Sequence, residues 1–370
     1  MPTPEDYLRL AVGSTPRSLL PPSAPGDLLR LAARWPLSQE LLVECRLGTH
    51  PGRPDLSLVY RGAEEHALLS QRLALQPQRD RGSRDGTHSL RALIAASSVY
   101  PGEKGEPLAL WIEADAEHQP GEPAAPAVFF RFTPHQVART NDPDTSLAAM
   151  RADLEAMLAR LAHRLWPSMR LATKRLLASV PRFATVGHAG MMWSRNPPTL
   201  RITIGGLDLD SARAFLNAYP PPPHGLPENA VPLGFGLGLR PVLCIDIGAD
   251  GKASVSGIEL FPQRDRDAGP PLSHALEELF RHGLCTEIQR AELDQWQAEI
   301  TPINASAPWP EDLVIESLRR PPTEFSLVRT GINHLKLVAS RDGAVLAKVY
   351  LRVAHEWVRF EPVTAETPPS

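Results

Sequence analysis

Cysteine is nearly missing from this 370-residue chain, which has only Cys45, Cys244 and Cys285. Three scattered thiols cannot build a disulfide framework or a paired zinc site, and they point to a reducing compartment. Charge of one sign is lacking too. The net charge is −3, so no basic field advertises a nucleic-acid partner or an anionic membrane. No apolar run approaches the roughly 18 residues that cross a bilayer. The first ten residues carry Glu5, Asp6 and Arg9 and no apolar stretch of a secretory signal. The expected location is the cytoplasm, with no membrane span. Aromatic residues make up only 6% of the chain.

What is present in excess is proline, at 39 residues. With abundant alanine and arginine, this suggests a GC-rich bacterial genome. The prolines cluster at 21–22, 120–126, 197–198, 220–223, 270–271, 308–310 and 321–322, where they punctuate elements rather than interrupt periodic ones. A hydrophobic fraction of 42% and a charged fraction of 22% are those of a globular chain with a real core. The stretch 76–88 is charged and contains glycine, and it reads as a mobile loop. One domain is expected over 1–361, with 362–370 as a disordered tail.

Between the prolines, a helix followed by two strands recurs about five times. Short helices are predicted at 27–34 and 90–97. A long amphipathic one covers 146–165, with Leu147, Met150, Leu154, Met157, Leu158, Leu161 and Leu165 on one face. Further helices are predicted at 169–179, 210–218 (Asp208 or Asp210 as N-cap), 273–282 and 286–297. Ser273, followed by Glu277 and Glu278, comes close to capping-box spacing. The strand pairs are 41–47 with 56–61, 108–115 with 127–132, 184–193 with 200–204, 242–247 with 254–261, and 334–339 with 346–352. Asp250-Gly251 and Asp342-Gly343 are strong hairpin turns. Hairpins mean antiparallel strands, which excludes a doubly wound nucleotide-binding fold.

Successive residues of a strand face opposite ways. Leu41, Val43 and Cys45 share one face, and Glu44 and Arg46 the other. Leu200, Ile202 and Ile204 oppose Arg201 and Thr203. Leu243, Ile245 and Ile247 oppose Cys244 and Asp246. Leu335 and Leu337 oppose His334 and Lys336, and Val349 and Leu351 oppose Lys348, Tyr350 and Arg352. The apolar faces suit helices. The polar faces meet either water, in an open sheet, or a lumen, in a closed barrel. About ten strands favour closure, because large twisted sheets curl. The predicted fold class is therefore α+β: a closed antiparallel barrel ringed by helices.

This plan resembles the αββα-barrel (ABBA) prenyltransferases, which include indole and cyanobactin peptide prenyltransferases. Three short stretches carry the resemblance. The first hairpin, LLVECRLGTHPGRPDLSLVYR, looks like one in which a strand bears an acid/base glutamate and the next ends in a diphosphate-binding arginine. Glu44 and Arg61 stand there. Lys348-Val349-Tyr350 matches the Lys-x-Tyr that binds diphosphate, and Leu243-Cys244-Ile245-Asp246 is similar to a strand that often precedes it. Where further Lys-x-Tyr motifs would fall, this chain has Phe129-Phe130-Arg131 and Gly257-Ile258-Glu259.

The resemblance implies a transferase that moves a dimethylallyl or longer prenyl group from its diphosphate to an aromatic small molecule or a peptide side chain, as in natural-product biosynthesis. Prenyl diphosphate is the implied co-substrate. Mg²⁺ is a further candidate that the sequence does not read out, and no metal-ligand set is predicted. The chain has no DDxxD motif, which argues against the all-helical prenyl synthases. The leaving diphosphate needs preorganised cations and hydroxyls, for which the candidates are Arg46, Arg61, Arg201, Lys336, Lys348 and Tyr350, with Arg131 and Arg352. Glu44 is the candidate base, and Glu113 or Asp246 the alternates. Asp246 serves equally as half of an ion pair. Trp111, Phe129, Phe132, Trp193, Phe261 and Tyr350 could shield a cation. Trp111, Glu113, Phe129, Arg131, Asp246 and Glu259 are the expected prenyl and acceptor pocket.

His188 and His334 are single histidines without ligand spacing. The run 234–238 reads as a flexible loop or lid, since it precedes a strand instead of opening a helix. A monomer is expected. Two other readings use the same fold: a non-catalytic peptide- or ligand-binding protein, and a barrel enzyme using Glu44, Glu113 and Asp246.

Overall fold

The apolar faces of the strands dictate the architecture. The structure, a computed structural model, describes residues 2–49, 52–75, 81–97, 109–114, 126–131, 143–219, 225–263, 272–340 and 342–359. The strands are β1 (Glu40–Arg46), β2 (Asp55–Tyr60), β3 (Leu110–Ala114), β4 (Ala127–Arg131), β5 (Thr185–Met192), β6 (Thr199–Gly205), β7 (Arg240–Gly248), β8 (Ala253–Phe261), β9 (Ala298–Ile300), β10 (Glu324–Ala339) and β11 (Val345–Arg359). Each pairs antiparallel with its neighbours in the order β11-β1-β2-β3-β4-β5-β6-β7-β8-β10, and β10 pairs back onto β11. The ring of ten is thereby closed, which leaves no open edge in the barrel. Short β9 lies outside the ring, on the part of β10 that runs past it.

Two or three helices precede each strand pair. They are α1 (Pro4–Val12) and α2 (Ala24–Ala32); α3 (Ala63–Leu75) and α4 (Arg81–Ser97); α5 (Pro143–Ala162) and α6 (Trp166–Ser179); α7 (Leu209–Ala218) and α8 (Ala230–Gly236); and α9 (Leu272–Arg281), α10 (Glu287–Asp294) and α11 (Glu311–Arg319). Their apolar faces and the outer faces of the strands form one core. Leu41, Val43, Ile112, Ile202, Ile245, Leu337 and Val349 bury themselves there with Leu28, Leu69, Leu158 and Leu276 from the helices. Leu154, Met157, Leu158 and Leu161 form the buried stripe expected of α5. The side chains of Leu147 and Met150 lie outside the described residues. Among the described residues no helix is long and apolar enough to cross a membrane.

Four local expectations change. Residues 81–88 of the expected loop are the start of α4; its apolar face, Leu90 and Leu93, packs into the core and carries the polar turns along. The helix expected over 146–165 ends at Ala162, breaks at His163 with φ +47°, and restarts at Trp166-Pro167, where proline suits a first turn. Residues 234–236 belong to α8 rather than to a lid. A side chain at Gly234 would come within 3.2 Å of Ile258, so α8 packs closely on the barrel. Ser273 falls inside α9, and the capping box forms instead between Thr286 and Gln289 at α10. Asp208 caps α7 as expected. The tail 362–370, Phe132 and Asp115 lie outside the described residues.

Candidate active site

The inner faces enclose a cavity of about 600 Å³, the size of a small-molecule site. It reaches the barrel end where Arg61, Arg131, Thr185, Gly206 and Arg240 are exposed. Its lining adds Glu40, Leu42, Ser57, Trp111, Glu113, Phe129, His188, Arg201, Glu259, Phe261, His334, Tyr350 and Arg352.

Register explains this selection. Glu40 and Leu42 are the inward residues at the start of β1, and Glu44 is the next one inward. Tyr350 pairs with Glu44, and Arg352 with Leu42, so β11 presents the same levels in reverse. The deeper level is closed by three ion pairs. Glu44 accepts hydrogen bonds from Lys348 Nζ and from the Tyr350 hydroxyl. Glu259 accepts from Lys336 Nζ at 3.0 Å and from Cys244 Sγ at 3.4 Å. Asp246 accepts from Arg201 Nε at 2.7 Å and Nη2 at 2.9 Å. Such pairs are the condition for burying charge at all.

Burial on its own would raise the Glu44 pKa. The ammonium groups of Lys348 and Lys336 and the hydrogen bonds from Lys348 and Tyr350 outweigh it and hold the carboxyl at about 2. Glu259 stays well below the usual carboxylate range, because Lys336, His334 and His188 overcome its burial. Arg201 does the same for Asp246.

The wall above these pairs is a ladder of flat rings. His334 stacks on Tyr350 (centroids 3.9 Å apart, 17° between planes) and on Phe261 (4.7 Å, 27°). Since β10 pairs with β8 on one edge and β11 on the other, the two partners flank His334 from opposite sides. His188 meets the edge of Trp111 at 4.6 Å. Phe129 lies flat on β5, where a side chain at Gly190 would come within 2.3 Å of its ring. A β-bulge sits beside each histidine, between Val186 and Ala189 and between Ile332 and His334; bulges often mark sites where a strand re-aims a side chain. Burial pushes both imidazoles down to about 4, with Glu259 opposing and Lys336 reinforcing.

The rim is cationic. Arg61 and Arg352 both donate to Glu40, and Arg240 lies 5.2 Å from the centroid of Phe261. Arg131 is exposed on the lining.

The sequence-predicted residues therefore separate into levels. Trp111, Glu113, Phe129, Arg131, Glu259, Arg201, Tyr350 and Arg61 line the cavity. Glu44, Lys336, Lys348 and Asp246 lie in the lumen but off the lining, locked in ion pairs. Arg46 does not join them. It is exposed at the end of β1 opposite Glu40, packed by Gly52, so it and Arg61 occupy opposite ends of the barrel. Trp193 belongs to the outer core, where its indole N–H donates to Ser89 Oγ at 3.0 Å. Sequence reasoning missed Glu40 and Arg240, which stand two residues before Leu42 and Val242. Continuing the period-two alternation back past the predicted strand starts would have found both. Among the described residues no His, Cys, Asp and Glu cluster could hold a metal ion.

No protein-family model matches the chain, and no curated protein sequence matches it significantly. Solved structures do. The crystal structure of AnaPT from Neosartorya fischeri aligns over 94% of this chain and 91% of its own, with a TM-score of 0.53 at 11% identity. NotF prenyltransferase aligns over 94% and 92%, with a TM-score of 0.45 at 11% identity. The chain has the αββα-barrel fold. At such identity the ABBA likeness is one of fold, and the site has to be argued from this chain's own residues.

Proposed function

We propose that this αββα-barrel protein is a prenyltransferase, moving a dimethylallyl or longer prenyl group from its diphosphate to an aromatic small molecule or a peptide side chain inside the barrel. The observation that carries this reading is the graded cavity: flat rings in the wall, arginines at the rim and neutralised ion pairs beneath. Ionising an allylic diphosphate separates charge. The carbocation is stabilised by ring faces, here Trp111 and Phe129, since Phe261 and Tyr350 are stacked on His334 and carry Arg240 and Lys336 over their rings. The anion is stabilised by guanidinium groups that bind oxygens in pairs, here Arg61, Arg131, Arg240 and Arg352. The cation level of the sequence reading, Lys336 and Lys348, backs the site from below, with Arg201 and Tyr350 reaching the lining. A closed wall keeps water from the cation.

The test is incubation of the full chain with dimethylallyl or geranyl diphosphate and a panel of indoles, phenols and short peptides. Diphosphate release and mass-shifted acceptors are the readouts. Replacing Arg131 and Arg240 by glutamate should raise the KM for the diphosphate by at least roughly tenfold, as loss of charge-assisted contacts does.

One observation favours a second reading, a non-catalytic ligand-binding barrel. Lys336, Lys348 and Arg201 are each already matched by a carboxylate. Diphosphate or acceptor binding by calorimetry, with no release and no adduct for any donor, would decide for that reading.

A further inference from the structure

The proposed reaction needs a group to receive the acceptor's proton, and Glu44 is badly placed for it. Both its oxygens are occupied, and it is not on the cavity lining. A different residue fits. His334 lines the cavity and is 6% exposed. Its two faces are covered by Phe261 and Tyr350, so only ring edges remain. On one edge Nδ1 lies 2.7 Å from Asn333 Oδ1. With the Asn333 amide oxygen turned toward the ring, which only accepts, this contact places the proton on Nδ1 and leaves a lone pair on Nε2. Nε2 has no hydrogen-bond partner and almost no exposed surface, although buried polar atoms are normally paired, so an acceptor reaches it by displacing a neighbouring side chain as it binds. Asn333 is the residue that the β10 bulge inserts next to His334, so the irregularity in the strand supplies the contact that sets the tautomer.

We propose that His334, oriented by Asn333, is the catalytic base that takes the acceptor's proton. This rests on the prenyl-transfer reading above. The carbon–oxygen bond of the allylic diphosphate breaks and its electron pair leaves with the diphosphate. A bond forms between the acceptor and the allylic carbon. The proton displaced from the acceptor passes to His334 Nε2, and the imidazolium returns it to solvent when product leaves. The neutral state needed beforehand is supplied by burial, which holds His334 near 4 against Glu259 and Glu44, with Lys336 and His188 reinforcing it. So weak a base suffices, because an alkylated aromatic cation is a strong acid.

Two measurements on the full chain test this. Ring-nitrogen NMR of histidine-labelled protein at pH 7, with His334 assigned through His334→Gln or His334→Asn, should show Nδ1 protonated and Nε2 bare. A protonated Nε2 overturns the proposal, whatever the substrate. In the transfer assay, adduct formation by His334→Gln should fall by roughly 10²-fold or more while the KM for the prenyl diphosphate stays unchanged. Added imidazole should restore part of the adduct formation in His334→Ala. Adduct formation by His334→Gln at the wild-type rate removes His334 from the mechanism. A wild-type protein that neither releases diphosphate nor forms adduct sinks the prenyltransferase reading itself, and the base role falls with it.

Discussion

Arg201 and Asp246 meet across β6 and β7 in a two-point contact, with Nε to Oδ1 at 2.7 Å and Nη2 to Oδ2 at 2.9 Å, and Arg201 Nη2 also reaches Ser256 Oγ at 3.2 Å. Their side chains are 9% and 15% exposed. A planar fork on a carboxylate in so dry a place is costly to break on one side only. With Lys336–Glu259 and Lys348–Glu44 it closes the deep level of the lumen.

Asp246→Asn should therefore destabilise the protein by about 3–5 kcal/mol, because Arg201 is left buried and uncompensated. Replacing both partners, Arg201→Met with Asp246→Leu, should cost less than Asp246→Asn alone. Urea denaturation of the three variants checks this. Equal midpoints for wild type and Asp246→Asn would show that the pair contributes nothing.

Glu44→Gln separates two roles for this carboxylate. A base would lose roughly 10²-fold in turnover with its stability intact. An ion-pair partner would leave Lys348 unmatched and lose stability, about 3–5 kcal/mol for a pair this buried. The occupied oxygens lead to the second outcome, read as a lowered urea midpoint.

Stability should fall in two stages on acidification. His188, His334 and His355 are held near 4 in the folded protein, chiefly by burial, against about 6.5 unfolded. Between these values the unfolded chain binds protons that the folded one does not, so acidification from about 6.5 to 4 destabilises. Glu44, Asp246 and Glu259 are depressed in the folded state. Their contribution is present above about 4 and is lost as the pH drops toward 2. Urea midpoints measured from pH 8 to 3 should show both limbs, the first shallower in His355→Gln. A flat profile between pH 6.5 and 4.5 would mean the histidines are not shielded.

Gly190→Ala should cost about 1–3 kcal/mol, the range for overpacking. The new methyl would meet both the Phe129 ring and the Val128 carbonyl oxygen at 2.3 Å, and only the ring can swing away. Thermal melts give the cost, and a change in cavity ligand affinity would report the displaced ring.

The hairpins were legible because each strand alternates and two carry Asp-Gly turns. Alternation also named most of the lumen, from Trp111 and Arg201 to Lys336 and Tyr350. It could not rank them by depth. Arg46 and Arg61 look alike on paper, each in the first hairpin near a strand end, yet the antiparallel register sends them to opposite ends of the barrel. The polar stretch before Leu90 read as a loop because local composition outweighed the neighbouring stripe that binds α4 to the core.

The sequence by itself determined the α+β class: period-two apolar faces demand a covering layer of helices, and about ten such strands favour a closed barrel over an open sheet. Only the tertiary structure decided which charges meet. The sequence left open whether Arg46, on the same face of β1, or another lumen cation balances Glu44; the partner is Lys348, 304 residues away. His334 was an isolated histidine until β8 and β11 brought Phe261 and Tyr350 to its sides and a bulge set Asn333 against its ring. Pairing between strands depends on closure and register, which residue spacing along one strand does not encode.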